Sequence, residues 1–183
     1  MVAVAGLVVG CGVAGGSDDA GQLRPAQTSI PKGTSDPQVK PALEAYQKFT
    51  LATVRAQQNP LPNSNAYPAR ANFTQYSFDP IAAEFESSIK ALSLAKSAFR
   101  GVPPESHITV TSIDPDAQPW PTVTLSDCQT GQDGWQAFDT RTNKPVPNQE
   151  PRIPSPYGAI VTMVYNQQHW GVNSIKMDED RKC

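Results

Sequence analysis

Residues 157–177 read YGAIVTMVYNQQHWGVNSIKM, two runs rich in β-branched and aromatic residues divided by Asn166-Gln167-Gln168. Such residues pack well on a pleated surface, so 157–165 and 169–177 are predicted as strands of a hairpin. A period of two continues toward the N-terminus. Val123 and Leu125 alternate with threonines up to Ser126-Asp127-Cys128, and residues 107–113 place Ile108 and Val110 on one face. Residues 134–138 add a short strand, followed by a turn at Thr142-Asn143-Lys144. The C-terminal half is therefore predicted as an antiparallel sheet.

Before residue 101 the period is that of a helix. Val39, Leu43, Tyr46, Phe49 and Thr53 recur on one face, predicting a helix from Asp36 or Lys40 to about Gln58. Asp36-Pro37 suits its N-cap and first turn, but Pro41 means that the helix either starts there or has a distorted opening turn. Asn59-Pro60-Leu61-Pro62-Asn63 ends it, and 66–76 is predicted as a short helix with Tyr67, Phe73 and Tyr76 inward. Asp79-Pro80 opens a second long helix with Ile81, Phe85, Ile89, Leu92, Lys96 and Phe99 on one face. Gly101 is its expected left-handed cap, and Pro103-Pro104 blocks extension. Helices followed by an antiparallel sheet define an α+β domain.

The N-terminus tells where the chain works. MVAVAGLVVG precedes Cys11, and a small residue before a cysteine at the end of a short apolar run resembles the lipobox of bacterial lipoproteins. That resemblance implies cleavage before Cys11, a lipid on its thiol and residence on the extracytoplasmic face of the membrane. A membrane span needs about 20 apolar residues, which this run does not supply. A leader also carries a basic end, absent here, so the true translation start is expected upstream. An unlipidated secreted protein is the alternative. Residues 1–10 thus read as signal peptide, 11–35 as the lipidated cysteine and a flexible Gly/Ser/Asp/Pro-rich tether, and 36–183 as one domain.

The net charge of −2 gives no basic surface for nucleic acid. With Cys11 lipidated, Cys128 and Cys183 remain as an extracellular pair and are predicted to form a disulfide. Closing a loop of about 55 residues is worth roughly 4 kcal/mol in the chain-entropy description. His107 and His169 are too few and too badly spaced for a metal site, and no cofactor motif is present, so no metal or cofactor is expected.

The order of parts carries a second resemblance. Lipobox and tether are followed by Ala45-Tyr46 with Phe49, then Phe99-Arg100-Gly101, Ser126-Asp127-Cys128, Gly134-Trp135 and His169-Trp170-Gly171-Val172 before a terminal cysteine. This is similar to small actinobacterial lipoproteins whose domain resembles the nuclear-transport-factor-2-like cone. The resemblance implies N-terminal helices packed on a strongly curved antiparallel sheet with a pocket at the mouth. It implies no activity, because this fold hosts enzymes, binders and assembly modules.

An enzyme on such a cone uses a buried carboxylate or histidine as base, and Asp127 and His169 are the candidates, able to meet if their strands are neighbours. Asp114, Asp116, Asp139 and His107 follow, although Asp114-Pro115-Asp116 and Asp139 read as turn residues and His107 as an exposed strand start. Trp120, between two prolines, is the candidate ligand contact, whereas Trp135 and Trp170 read equally well as core. Asn72-Phe73-Thr74 matches a glycosylation sequon with no expected use in a bacterial lipoprotein. The leading expectation is a membrane-anchored, non-catalytic binding or scaffold module for an envelope protein or a small hydrophobic ligand. The alternatives are a pocket enzyme of isomerase or cyclase type, and an accessory subunit of a cell-envelope complex.

Overall fold

The computed structural model describes residues 27–29, 36–130, 134–147 and 157–178. Cys11, Cys183, the predicted signal peptide and most of the predicted tether lie outside them. The fold is α+β: two helices pack on antiparallel strand pairs.

The chain runs β1 (Gln27–Ser29), α1 (Val39–Gln58), three short 3-10 turns (Ser64–Ala66, Ala69–Ala71 and Phe73–Tyr76) and α2 (Ile81–Leu94). Then come β2 (Ser97–Arg100), β3 (Glu105–Asp114), β4 (Thr122–Thr130), β5 (Gln136–Asp139), β6 (Lys144–Pro145), β7 (Tyr157–Asn166) and β8 (His169–Asp178). α1 begins at Val39 with Gln38, not the expected Asp36, at its N-cap, and the Asp36 side chain accepts from the Gln38 backbone N–H at 2.7 Å in the turn just before the helix. Pro41 then occupies the third helical position, where the backbone N–H has no partner within the helix in any case. The predicted helix over 66–76 is a chain of 3-10 turns, although Phe73 is buried as expected.

Strand order in the main sheet is β1-β3-β4-β7-β8, with β1 parallel to β3 and the other pairs antiparallel. Three residues of the predicted tether thus add an edge strand. The β7–β8 hairpin forms as predicted. Gln167 and Gln168 both take positive φ (50° and 65°), the conformation a two-residue turn needs to match strand twist.

Register stacks the inward side chains in rows across four strands. Val110, Leu125, Val161 and Ile175 form one row, and Ile113, Val123, Met163 and Val172 the next. Two β-bulges make this possible. One extra residue, Thr111, interrupts β3 between Val110 and Ser112, and one extra residue, Asn173, interrupts β8 opposite Thr162–Met163. Each bulge reverses the inward parity, so that Ile113 and Ile175 join the core face instead of pointing away from it. Tyr46, Phe49 and Phe73 cover these rows from the helical side.

The end of the second helix departs from the prediction. Apolar spacing carries the helix through Phe99, yet α2 stops at Leu94 and residues 97–100 form β2, paired with β5. Lys96, at φ 51°, makes the left-handed exit, and its carbonyl accepts from the Thr140 backbone N–H at 2.8 Å. Strand pairing with β5 and the packing of Phe99 on Trp135, 5.3 Å between ring centres, outweigh a weak helical preference. A single sheet was expected; instead β2, β5 and β6 make a separate three-stranded sheet.

Gly101 does hold a positive φ of 95°, but in a turn after β2 and not as a helix cap. A Cβ there would stand 2.1 Å from the Gly134 carbonyl oxygen. Gly101→Ala is expected to cost roughly 1–3 kcal/mol or more, from strain and collision together. Urea unfolding of the variant checks this, and an unchanged midpoint would contradict the close approach of the two backbones.

Candidate functional site

Alternation along β4 turns Val123, Leu125 and Asp127 to the same inward face, so a carboxyl group enters an apolar core. Asp127 is 0% exposed and sits in register between Ile108 of β3 and Ala159 of β7. Its Oδ2 accepts three hydrogen bonds: from the Tyr46 hydroxyl at 2.7 Å, the Ser106 hydroxyl at 3.1 Å and the Gln129 side-chain amide at 2.9 Å. Oδ1, equally buried, has no partner. Tyr46 comes from the core face of α1, so this cluster joins helix to sheet.

His169 does not join it. His169 pairs with Asn166, whereas Asp127 faces Ala159, seven residues away along β7. At about 3.3 Å per residue, roughly 23 Å of strand separates them. His169 instead lies at the hairpin tip, with its ring 4.9 Å from that of Phe78 and Nδ1 3.2 Å from the Gln167 carbonyl. The candidate acid–base pair is not assembled.

The other candidates scatter. Asp114 and Asp116 are exposed in one turn, where the Asp114 side chain accepts from the Asp116 N–H. Asp139 pairs with Arg141, whose guanidinium holds the Asp139 carboxyl far below the usual carboxylate range. His107 is half-buried on β3 opposite Cys128. Cys128 is disulfide-bonded, on the strand face opposite Leu125, and its partner lies outside the described residues. Trp135 packs on Phe99, Trp170 is core, and Trp120 is 39% exposed. Among the described residues no cluster of three His, Cys, Asp or Glu side chains could hold a metal ion, and no helix is long and apolar enough to cross a membrane.

A groove of about 290 Å³ opens at the hairpin tip. α1 lines it with a second strip, Pro41, Glu44, Ala45 and Lys48, beside the face that carries Tyr46. Gln75 and Tyr76 close one side, and Tyr165, Gln168, His169 and Trp170 the other. Backbone contacts hold these walls. The Phe78 N–H donates to the Val172 carbonyl at 2.8 Å, tying the segment after Tyr76 to the edge of β8. Gly171 makes room for that approach, since a Cβ there would be 2.7 Å from the Phe78 ring. The Tyr165 N–H donates to the Pro121 carbonyl at 3.0 Å, so the Trp120 loop adjoins the groove. Tyr165 is 39% exposed, and its ring centre lies 5.7 Å from that of Trp170. Trp170 is 4% exposed, and its buried indole N–H has no acceptor. Sequence reasoning missed the groove because it depends on contacts between residues far apart in the chain, Phe78 with Gly171 and Val172 above all.

Removing a donor from a buried acceptor costs roughly 1–3 kcal/mol, whereas replacing both partners by apolar groups costs far less than two single changes. Tyr46→Phe is therefore expected to lower stability by about that amount, and to cost clearly less when Asp127 is already valine. A double-mutant cycle by urea unfolding measures the difference; equal costs in both backgrounds would show that the hydrogen bond contributes nothing.

No family model matches the sequence, and no characterised protein is significantly similar to it.

Proposed function

We propose that this chain is a non-catalytic binding module held on the extracytoplasmic face of the membrane by lipidated Cys11, with the groove at the hairpin tip as its ligand surface. One observation carries the reading. The inward face of the sheet is filled by Ile108, Val110, Val123, Leu125, Val161, Met163 and Val172 under Tyr46, Phe49 and Phe73, all at most 4% exposed. A core so filled offers a substrate no approach among these side chains, whereas the groove is open to solvent and lined by uncommitted polar groups.

Two finer assignments accompany it. The covered, twice-bulged sheet is compatible with the nuclear-transport-factor-2-like cone, because bulges bend strands. Cys183 is the partner we assign to Cys128, since lipidation would consume the thiol of Cys11.

The runner-up, a pocket enzyme, draws support from the unpartnered Asp127 Oδ1 beside the Tyr46 hydroxyl, a pairing capable of acid–base chemistry if a substrate reached it. A fluorescent naphthol, an aromatic alcohol that an acidic interior pocket would take up, separates the two. No saturable uptake is expected for the binding module. Uptake abolished by Asp127→Asn would favour the enzyme.

The anchor has its own test. In a bacterial host that lipidates proteins, the wild-type chain should enter the detergent phase and Cys11→Ser should move to the medium. Identical partitioning of the two would rule out the lipid.

A further inference from the structure

Building on the binding-module reading, we propose that the groove between α1 and the β7–β8 tip takes a saccharide unit of one or two rings. Its lining is divided by chemistry. Tyr76, Tyr165, Trp170 and His169 bring rings to it, and Glu44, Lys48, Gln75 and Gln168 bring long polar ends. A sugar ring has the matching division, with apolar C–H faces for an aromatic side chain and a rim of hydroxyls that both donate and accept.

The polar side chains are uncommitted. Glu44 and Lys48 stand one helical turn apart and form no ion pair with each other. A carboxylate, an ammonium and two amides together supply acceptors and donors in near balance, as alternating hydroxyls require. A purely apolar ligand would bury these groups without partners. A phosphate or other anion would meet Glu44 as well as Lys48. The buried indole N–H of Trp170, which has no acceptor, adds a donor on the aromatic side. The volume of about 290 Å³ is at the lower end of small-ligand pockets, which sets the size at one or two rings.

The full chain, kept in a detergent that contains no sugar, is titrated with glucose, galactose, mannose, arabinose, N-acetylglucosamine and the β-1,4-linked dimers of glucose and of N-acetylglucosamine. Saturation-transfer NMR and tryptophan emission report binding. At least one sugar should bind saturably. Tyr165→Ala should weaken it about tenfold or more while Tyr165→Phe stays within about threefold. Glu44→Ala, a change on an exposed helix position that leaves the fold intact, should also weaken it. No binding at concentrations up to about 50 mM, a limit below which even weak millimolar sites are seen, would overturn the proposal. So would binding indifferent to both Tyr165→Ala and Glu44→Ala. A dansylated fatty acid tested in parallel separates the two levels of the reading. If it binds, is displaced by no sugar and is released by Tyr165→Ala, the saccharide is overturned but the binding module stands. Silence from both probes overturns the saccharide and counts against the module as well.

Discussion

The hydrogen bond from Tyr46 to Asp127 fixes how α1 lies on the sheet. Apolar packing alone leaves a helix free to roll by a fraction of a turn, because methyl and methylene groups accept many neighbours. A hydroxyl donating to a carboxyl oxygen at 2.7 Å does not. Its direction and length are specific, and in a core that excludes water a wrong rotation would leave polar atoms without partners. With Tyr46 so held, Pro41, Glu44, Ala45 and Lys48 must fall on the flank that meets the hairpin tip. The polar cluster at one end of β4 and the groove at the far end of β7 are thus connected through the rotation of one helix. Asp127 is then a positional element, and the groove inherits its geometry.

Much of this architecture was legible in the sequence, and the parts that were not share a cause. The helix beginning near Val39 and the hairpin from 157 follow from local periodicity, which neighbouring residues alone determine. Asp127 stands out in the sequence as a candidate base, and its inward position can be read from its parity with Val123 and Leu125. What alternation could not supply was Tyr46, 81 residues away, or the distance to His169, which depends on the register of β7 with two different strands. β2 was invisible for a different reason. Ser-Ala-Phe-Arg has no decided preference, and Phe99 continues the helical stripe that Ile81 starts. Only pairing with β5 converts it to a strand. Likewise Gln27–Ser29, three polar residues too short to show a period, pairs as a strand on the edge of β3.

The groove illustrates how side chains that look dispensable to folding acquire a shared location. Glu44, Lys48, Gln75 and Gln168 belong to three separate elements, and each by itself is an ordinary solvated residue. They converge because Phe78 is stitched to Val172 and because Gly171 lacks the atom that would push Phe78 away. Backbone approach, more than side-chain attraction, builds this surface.

The two bulges have a consequence beyond core parity. β8 closes one side of the main sheet, and on the other, among the described residues, β3 is covered along the three residues of β1. The irregular residues, Thr111 and Asn173, therefore fall on the two outermost long strands, while β4 and β7 between them stay regular. A broken ladder is a poor template for a foreign strand. A sheet whose two borders are interrupted in this way can meet its own copies at high concentration without zipping edge to edge.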